Sequence, residues 1–252
     1  MKPFPHSPHT FVPAATVVPR RWHPAAVLGA AVLLLAAFTA THYAAPKPVP
    51  VIAAPLVAVA LLVLARRAGL TWDDLGLGRL SWRRGAAYGL TAVAAVATVY
   101  AMAAVLPVTR AAFLDVRYHL PTASALVTAF VIIPVGTVLL EEIAFRGVIL
   151  GLVRRHRGAV WATVVSSVLF GLWHIVPSLR LNETNPAVEA VVGSGIGARV
   201  AVIAAVVGFT ALAGVLFCEL RHRSGSLLAA AGLHWATNGL GVVVATVLWA
   251  AG

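Results

Sequence analysis

Charge is what this sequence most lacks. Of 252 residues only 11% are Asp, Glu, Lys or Arg, and just eight of those are acids. Apolar residues make up 60% of the chain and the mean hydropathy is +0.92. A soluble domain of this length has no way to cover so much apolar surface, which excludes a soluble fold. A single cysteine, Cys218, excludes an intramolecular disulfide framework. It stands four residues before His222 and reads as an inert buried thiol. Aromatic-basic motifs of the kind that bind single-stranded nucleic acid are absent. The formal charge of +11 therefore reads as membrane topology, because the arginines cluster between apolar runs. No repeat suggests an inverted-repeat transporter. No His-Glu-x-x-His zinc motif occurs, and no small-residue cleavage site follows the first apolar run.

What the sequence does have is long apolar runs, near 25–44, 49–65, 85–107, 121–153, 158–177, 197–219 and 226–250. They approach the roughly 20 residues that a helix needs to cross a bilayer. The fold class is all-α, a polytopic membrane helix bundle of about seven transmembrane helices (six to eight). Residues 1–24 hold six prolines and little apolar periodicity, and read as a disordered cytoplasmic tail. Arg20 and Arg21 before "AAVLGAAVLLLAAF" make the first span a retained signal anchor. Pro134 is expected to kink the fourth span. Gly85 with Gly89, and Gly147 with Gly151, have the small-xxx-small spacing that lets helices approach closely.

Taken alternately, the tail and connections carry thirteen Lys and Arg on one side and five on the other, leaving out Arg146. The positive-inside rule then puts the N-terminus in the cytoplasm and the C-terminus outside, in a multi-pass plasma-membrane protein. The stretch "TWDDLGLGRLSWRRG", with Trp72, Trp82 and Arg83, reads as an amphipathic segment lying along the cytoplasmic interface.

Few strongly polar side chains fall inside the spans: Glu141, Glu142, Arg146, His174, His234 and Asn238. Each charge at a helix centre costs about 2.5–3.5 kcal/mol on insertion scales, which marks such residues as functional candidates. Glu142 and Arg146 stand at i and i+4 with the acid first, the favourable order for a helical ion pair. Glu141 lies about 100° further round, without a local partner. His234 and Asn238 are one turn apart on one side of the last span. At about 1.5 Å per residue from the cytoplasmic helix ends, Glu141 lies about 18 Å deep, His174 about 24 Å, His234 about 12 Å and Asn238 about 18 Å. With helix tilt and loose helix ends, these depths allow four polar groups on three helices to converge near the middle of the bilayer. Taken one at a time, a histidine or asparagine here is as well explained by a helix–helix hydrogen bond. As a set they match a carboxylate–imidazole pair that activates water, beside donors for an oxyanion.

At these residues the sequence resembles the CAAX protease and bacteriocin-processing family of intramembrane endopeptidases. The motifs are "EEIAFR" (141–146), "FGLWH" (170–174) and "HWATN" (234–238), and the resemblance covers roughly residues 120–245. It implies a bundle around an intramembrane cavity open toward the cytoplasm. It also implies N-terminal spans over 25–115 and a catalytic membrane domain over 116–250. Carried over by position, Glu141 is the general base and His174 its partner on the water. His234 and Asn238 form the oxyanion site, while Glu142, Arg146 and Phe170 support it. No cofactor is required on this reading; a zinc ion on Glu141, His174 and His234 is the alternative. The partners are the lipid bilayer and a membrane-associated peptide or protein substrate, with no nucleic acid. The Ala- and Arg-rich composition suits a high-GC bacterium, where a prenylated substrate is unexpected.

Three other readings compete. Ser194 in "VVGSGIGA" raises a serine intramembrane protease, although the Gly-x-Ser-Gly pattern is incomplete. Glu141 and His174 would also serve as a proton relay in a transporter. A catalytically silent immunity or scaffold protein would keep the pocket without its chemistry.

Overall fold

The computed structural model describes residues 22–44 and 48–251. Most of the expected tail, together with Lys47, lies outside the described residues. Six helical stretches among them are long and apolar enough to cross a membrane. The fourth, Thr122–Ser178, is not one straight span. It breaks at Gly158, where φ is 83° and ψ 177°, a conformation that glycine adopts without a Cβ penalty. Cross-contacts show a hairpin folded about this point. Ser166 Oγ donates to the Phe145 carbonyl at 2.8 Å, and Trp173 Nε1 donates to Glu141 at 2.9 Å. Seven legs result: α1 (Pro24–Ala44), α2 (Pro48–Arg67), α3 (Trp82–Val105), α4 (122–157), α5 (159–173), α6 (Ile196–Ser224) and α7 (Leu227–Ala251). The protein is an all-α, multi-pass membrane bundle.

Local sequence sets the tight turn between α6 and α7. Gly225 is left-handed (φ 74°) and returns its N–H to the Arg221 carbonyl at 3.0 Å. Ser226 then caps α7, its hydroxyl accepting from the Leu228 N–H at 3.3 Å. Two residues suffice to reverse the chain.

In a bilayer, lipid competes with side chains for apolar contact, so helices associate mainly where small residues let backbones meet. Gly85 and Gly89 of α3 do this against α7. A Cβ built on Gly232 would lie 2.7 Å from the Gly89 Cα, and one on Gly85 would lie 2.4 Å from the Ser226 Cβ. The Gly147–Gly151 pair admits a loop instead of a helix. A Cβ on Gly151 would meet Leu70 Cδ2 at 2.6 Å and the Asp74 carbonyl at 3.2 Å.

That loop, residues 68–81, corrects the expectation of a surface amphipathic segment. It folds as a compact plug with Leu70 and Leu75 buried at 1% and 0% exposure. Backbone carbonyls, not a helical face, tie it down. Arg155 donates to the Gly69 carbonyl at 2.6 Å, Arg221 to those of Asp73 and Asp74 at 2.9 and 3.0 Å, and the Leu227 N–H to that of Gly76 at 2.9 Å. Trp72 and Trp82 remain about half exposed at its rim, as an interfacial position requires.

The helix continues through Pro134 without a break. Ile133 keeps helical angles (φ −63°, ψ −52°), and wide π-type turns at Thr128–Ile132 and Pro134–Val138 absorb the missing N–H. Two further wide turns, Glu142–Ile149 and Ala236–Leu240, fall at the residues singled out for chemistry.

Candidate active site

Glu141 and Glu142 sit mid-way along α4 at 6% and 2% exposure. Their surroundings differ. Glu142 Oε1 accepts from Arg146 Nη1 at 3.3 Å and from His234 Nδ1 at 2.8 Å. Arg146 is fully buried, with its guanidinium 3.9 Å from the Phe170 ring centroid and 4.5 Å from that of Phe217. These two ring faces stabilise a cation that makes one long ion pair. His234 stacks on Phe217 at 5.3 Å between centroids. Arg146, Glu142 and His234 are thus a buried charged triad walled by phenyl rings.

Glu141 has a partner that its sequence neighbourhood does not reveal. The indole N–H of Trp173, at the end of α5, donates to Oε1 at 2.9 Å. The second oxygen, Oε2, lies 3.7 Å from His234 Nε2 and has no hydrogen bond among the described residues. His234 therefore spans the two glutamates, with one ring nitrogen toward each.

His174 stands where α5 stops, with φ −84° and ψ 0°, in the sparsely allowed bridge region. Its Nδ1 donates to the Phe170 carbonyl at 2.8 Å. A carbonyl only accepts, so this bond fixes the proton on Nδ1 and leaves Nε2 of the neutral ring as an acceptor.

A cavity of about 340 Å³ is lined by Glu141, His174 and Asn238, with Trp173, Thr137 and Tyr118 around them. The structure thus brings three of the four expected site residues to one space, from three helices. His234, 3% exposed, is not among the lining residues but lies directly beside Glu141, its Nε2 3.7 Å from Oε2. His234 is bonded to Glu142 while Asn238 lines the cavity, and the wide turn Ala236–Leu240 runs through the segment that carries Asn238. Tyr100 on α3 steadies that turn by donating to the Thr237 carbonyl at 2.9 Å.

Trp173, Phe217 and Tyr118 went unnoticed in the sequence. Trp173 is the only one with a signal, since it immediately precedes His174 in "FGLWH". An apolar furrow between α1 and α5, about 580 Å³, shares Trp173 and Thr39 with the cavity lining. Ser194 sits on an exposed turn between Gly193 and Gly195 and is not part of the cavity lining. Cys218 is fully buried beside Ser166 and Ser167.

The zinc alternative needs Glu141, His174 and His234 to aim donors at one point. Of these, Glu141 Oε2 and His234 Nε2 lie 3.7 Å apart, and Glu141 and His174 share the cavity lining. Among the described residues no three His, Cys, Asp or Glu side chains gather as a metal-binding group.

Fold and site together define a multi-pass membrane protein with a carboxylate–imidazole cavity inside its helix bundle. The comparisons narrow this class. Residues 122–240, just under half of the chain, match the family model described as type II CAAX prenyl endopeptidase Rce1-like, which supports an intramembrane protease of the CAAX type in general. No curated protein and no solved structure matches the chain.

Proposed function

We propose that the protein is an intramembrane endopeptidase that hydrolyses a peptide bond of a membrane-associated peptide or protein with an activated water. The observation that carries this reading is the convergence of Glu141, His174 and Asn238 from three helices on one cavity. Water held between Glu141 and the free Nε2 of His174 attacks the scissile carbonyl carbon. Its proton passes to the Glu141 carboxylate as the new C–O bond forms. The side-chain N–H of Asn238 donates to the developing oxyanion. Collapse of the tetrahedral intermediate breaks the C–N bond, and the proton held by Glu141 goes to the leaving amine.

In this scheme His234 is a positioning residue. Its Nδ1–H donates to Glu142, which holds the ring beside Glu141 with Nε2 3.7 Å from Oε2. The buried triad with Arg146 keeps that imidazole in place. No step runs through a metal ion.

Purified full-length protein, incubated with a library of membrane-inserted peptides, tests the reading. Glu141→Gln and His174→Ala are expected to lower turnover at least a thousandfold, and Ser194→Ala to leave it unchanged. Activity that survives Glu141→Gln overturns the proposal. Turnover lost on exhaustive chelation and restored by zinc would replace it with the metal-dependent form.

A further inference from the structure

The two ends of the bundle differ in charge and in closure. Contacts define one end: the Trp22 N–H meets the Arg67 carbonyl at 3.2 Å, and the 68–81 plug joins the ends of α2, α4 and α6 to the start of α7. Among the described residues, ten arginines lie in or beside the connections at this end and four at the other, with three acids at each. Three of those four are paired to acids: Arg117 with Asp115 at 2.8 Å, and Arg180 and Arg199 with Glu183 at 2.8 and 2.7 Å. The arginine-rich end is the cytoplasmic one by the positive-inside rule.

At that same end Leu70 and Leu75 are buried in one apolar cluster with Phe145, Phe170 and Phe217, the rings around Arg146. The cavity lies on the other side of Glu141. Its lining takes Tyr118 from the connection after α3, Pro177 from the segment after α5, and Phe38 and Thr39 from the last turns of α1. All of these belong to the arginine-poor end. The family resemblance implies a cytoplasmic opening; the charge and the closure of this chain point the other way.

We propose that the Glu141 cavity is reached from the extracytoplasmic face, and that its substrates are outward-facing segments of membrane-anchored polypeptides. The substrate clause rests on the proteolytic reading above, whereas the orientation does not. A cytoplasmic chain end would have to pass the Leu70–Leu75 plug and the phenyl layer to reach Glu141. An outward-facing segment meets the lining directly.

Single cysteines test the orientation in intact bacterial cells producing the full chain. Val116→Cys lies on the connection that supplies Tyr118, and Val116 is 50% exposed; Leu80→Cys lies on the opposite end, where Leu80 is fully exposed. Buried Cys218 gives the background. A membrane-impermeant maleimide is expected to label Val116→Cys equally before and after permeabilisation, and Leu80→Cys at least tenfold more after it. The reverse pattern overturns the proposal. In the second arm, one cleavable peptide is anchored facing outward or inward beside the protein. Cleavage of the outward form alone, lost in Glu141→Gln, supports the proposal. Cleavage of the inward form, alone or equally, overturns it. The expected labelling with neither peptide cut upholds the orientation and removes the proteolytic reading.

Discussion

The indole N–H of Trp173 and Oε1 of Glu141 are 2.9 Å apart, and this bond joins the last residue of α5 to the middle of α4. Trp173 is also held by Phe38, whose ring stacks on it at 6.3 Å, and by Phe145 at 5.9 Å. The carboxylate is thus anchored by a side chain that cannot itself swing freely. A hydrogen bond to a charged group contributes about 1.5–3 kcal/mol. Trp173→Phe keeps the ring contacts and deletes the donor. It is expected to lower kcat about tenfold while KM moves less than about twofold, because the bond orients the base without touching substrate. Steady-state kinetics on any cleaved membrane peptide read this split. A rise in KM with kcat intact would mean that Trp173 binds substrate instead.

Arg146 predicts a stability effect separable from chemistry. It is fully buried, its one ion pair is 3.3 Å long, and it lies between the faces of Phe170 and Phe217. Removing it leaves the buried Glu142 with His234 Nδ1 as its remaining partner, and breaking a buried ion pair typically costs about 3–5 kcal/mol. Arg146→Ala is expected to unfold at clearly lower temperature in detergent. Arg146→Lys is expected to recover only part of the loss, since a compact ammonium cannot match the planar group that both rings cover. Glu141→Gln, by contrast, is expected to unfold near the wild-type temperature while inactive.

Much of this was legible in the sequence, and the residues show why. The apolar runs predicted the seven legs, and the expected break between 121–153 and 158–177 falls at Gly158. Glu141, His174 and Asn238 were identifiable because an ionisable or amide group in a membrane helix is costly enough to stand out. Three things were not legible. The wide turn at Ala236–Leu240 has no sequence signature, and nothing in the spacing says that His234 is buried on Glu142 while Asn238 lines the cavity. Trp173 and Phe217 look like ordinary apolar residues until the fold brings them to a carboxylate and a cation. The 68–81 segment has an apolar side, but its pattern does not say whether that side meets lipid or the bundle.

Asp74 predicts a pH dependence at the plug. Burial acts to raise its pKa, but the Thr71 N–H at 2.8 Å, the Thr71 hydroxyl at 2.9 Å and the charges of Arg155 and Arg154 outweigh that. The carboxyl is held below its ordinary value. A depressed acid contributes stability that is complete above the unfolded-state pKa of about 3.9 and is lost as pH falls through the lower folded value. The difference in unfolding temperature between wild type and Asp74→Asn is therefore expected to be constant above about pH 5 and to shrink below about pH 4. A difference that grows on acidification would contradict the assignment.

The glycines divide into two kinds that one substitution distinguishes. A Cβ on Gly232 would sit 2.7 Å from the Gly89 Cα and 3.0 Å from its carbonyl oxygen, so the obstacle is backbone. A Cβ on Gly151 would meet Leu70 Cδ2 at 2.6 Å, the far end of a flexible side chain, and the Asp74 carbonyl only at 3.2 Å. Gly232→Ala must push α3 and α7 apart, whereas Gly151→Ala need only repack a leucine. Overpacking costs about 1–3 kcal/mol, and the first variant is expected at the upper end and the second at the lower. Thermal unfolding of both in the same detergent gives the ranking. Proteolytic nicking within 68–81 should increase in Gly151→Ala alone, because only that glycine borders the plug. Equal nicking in the two variants would mean that the plug is held by the α3–α7 contact, and not by Gly151.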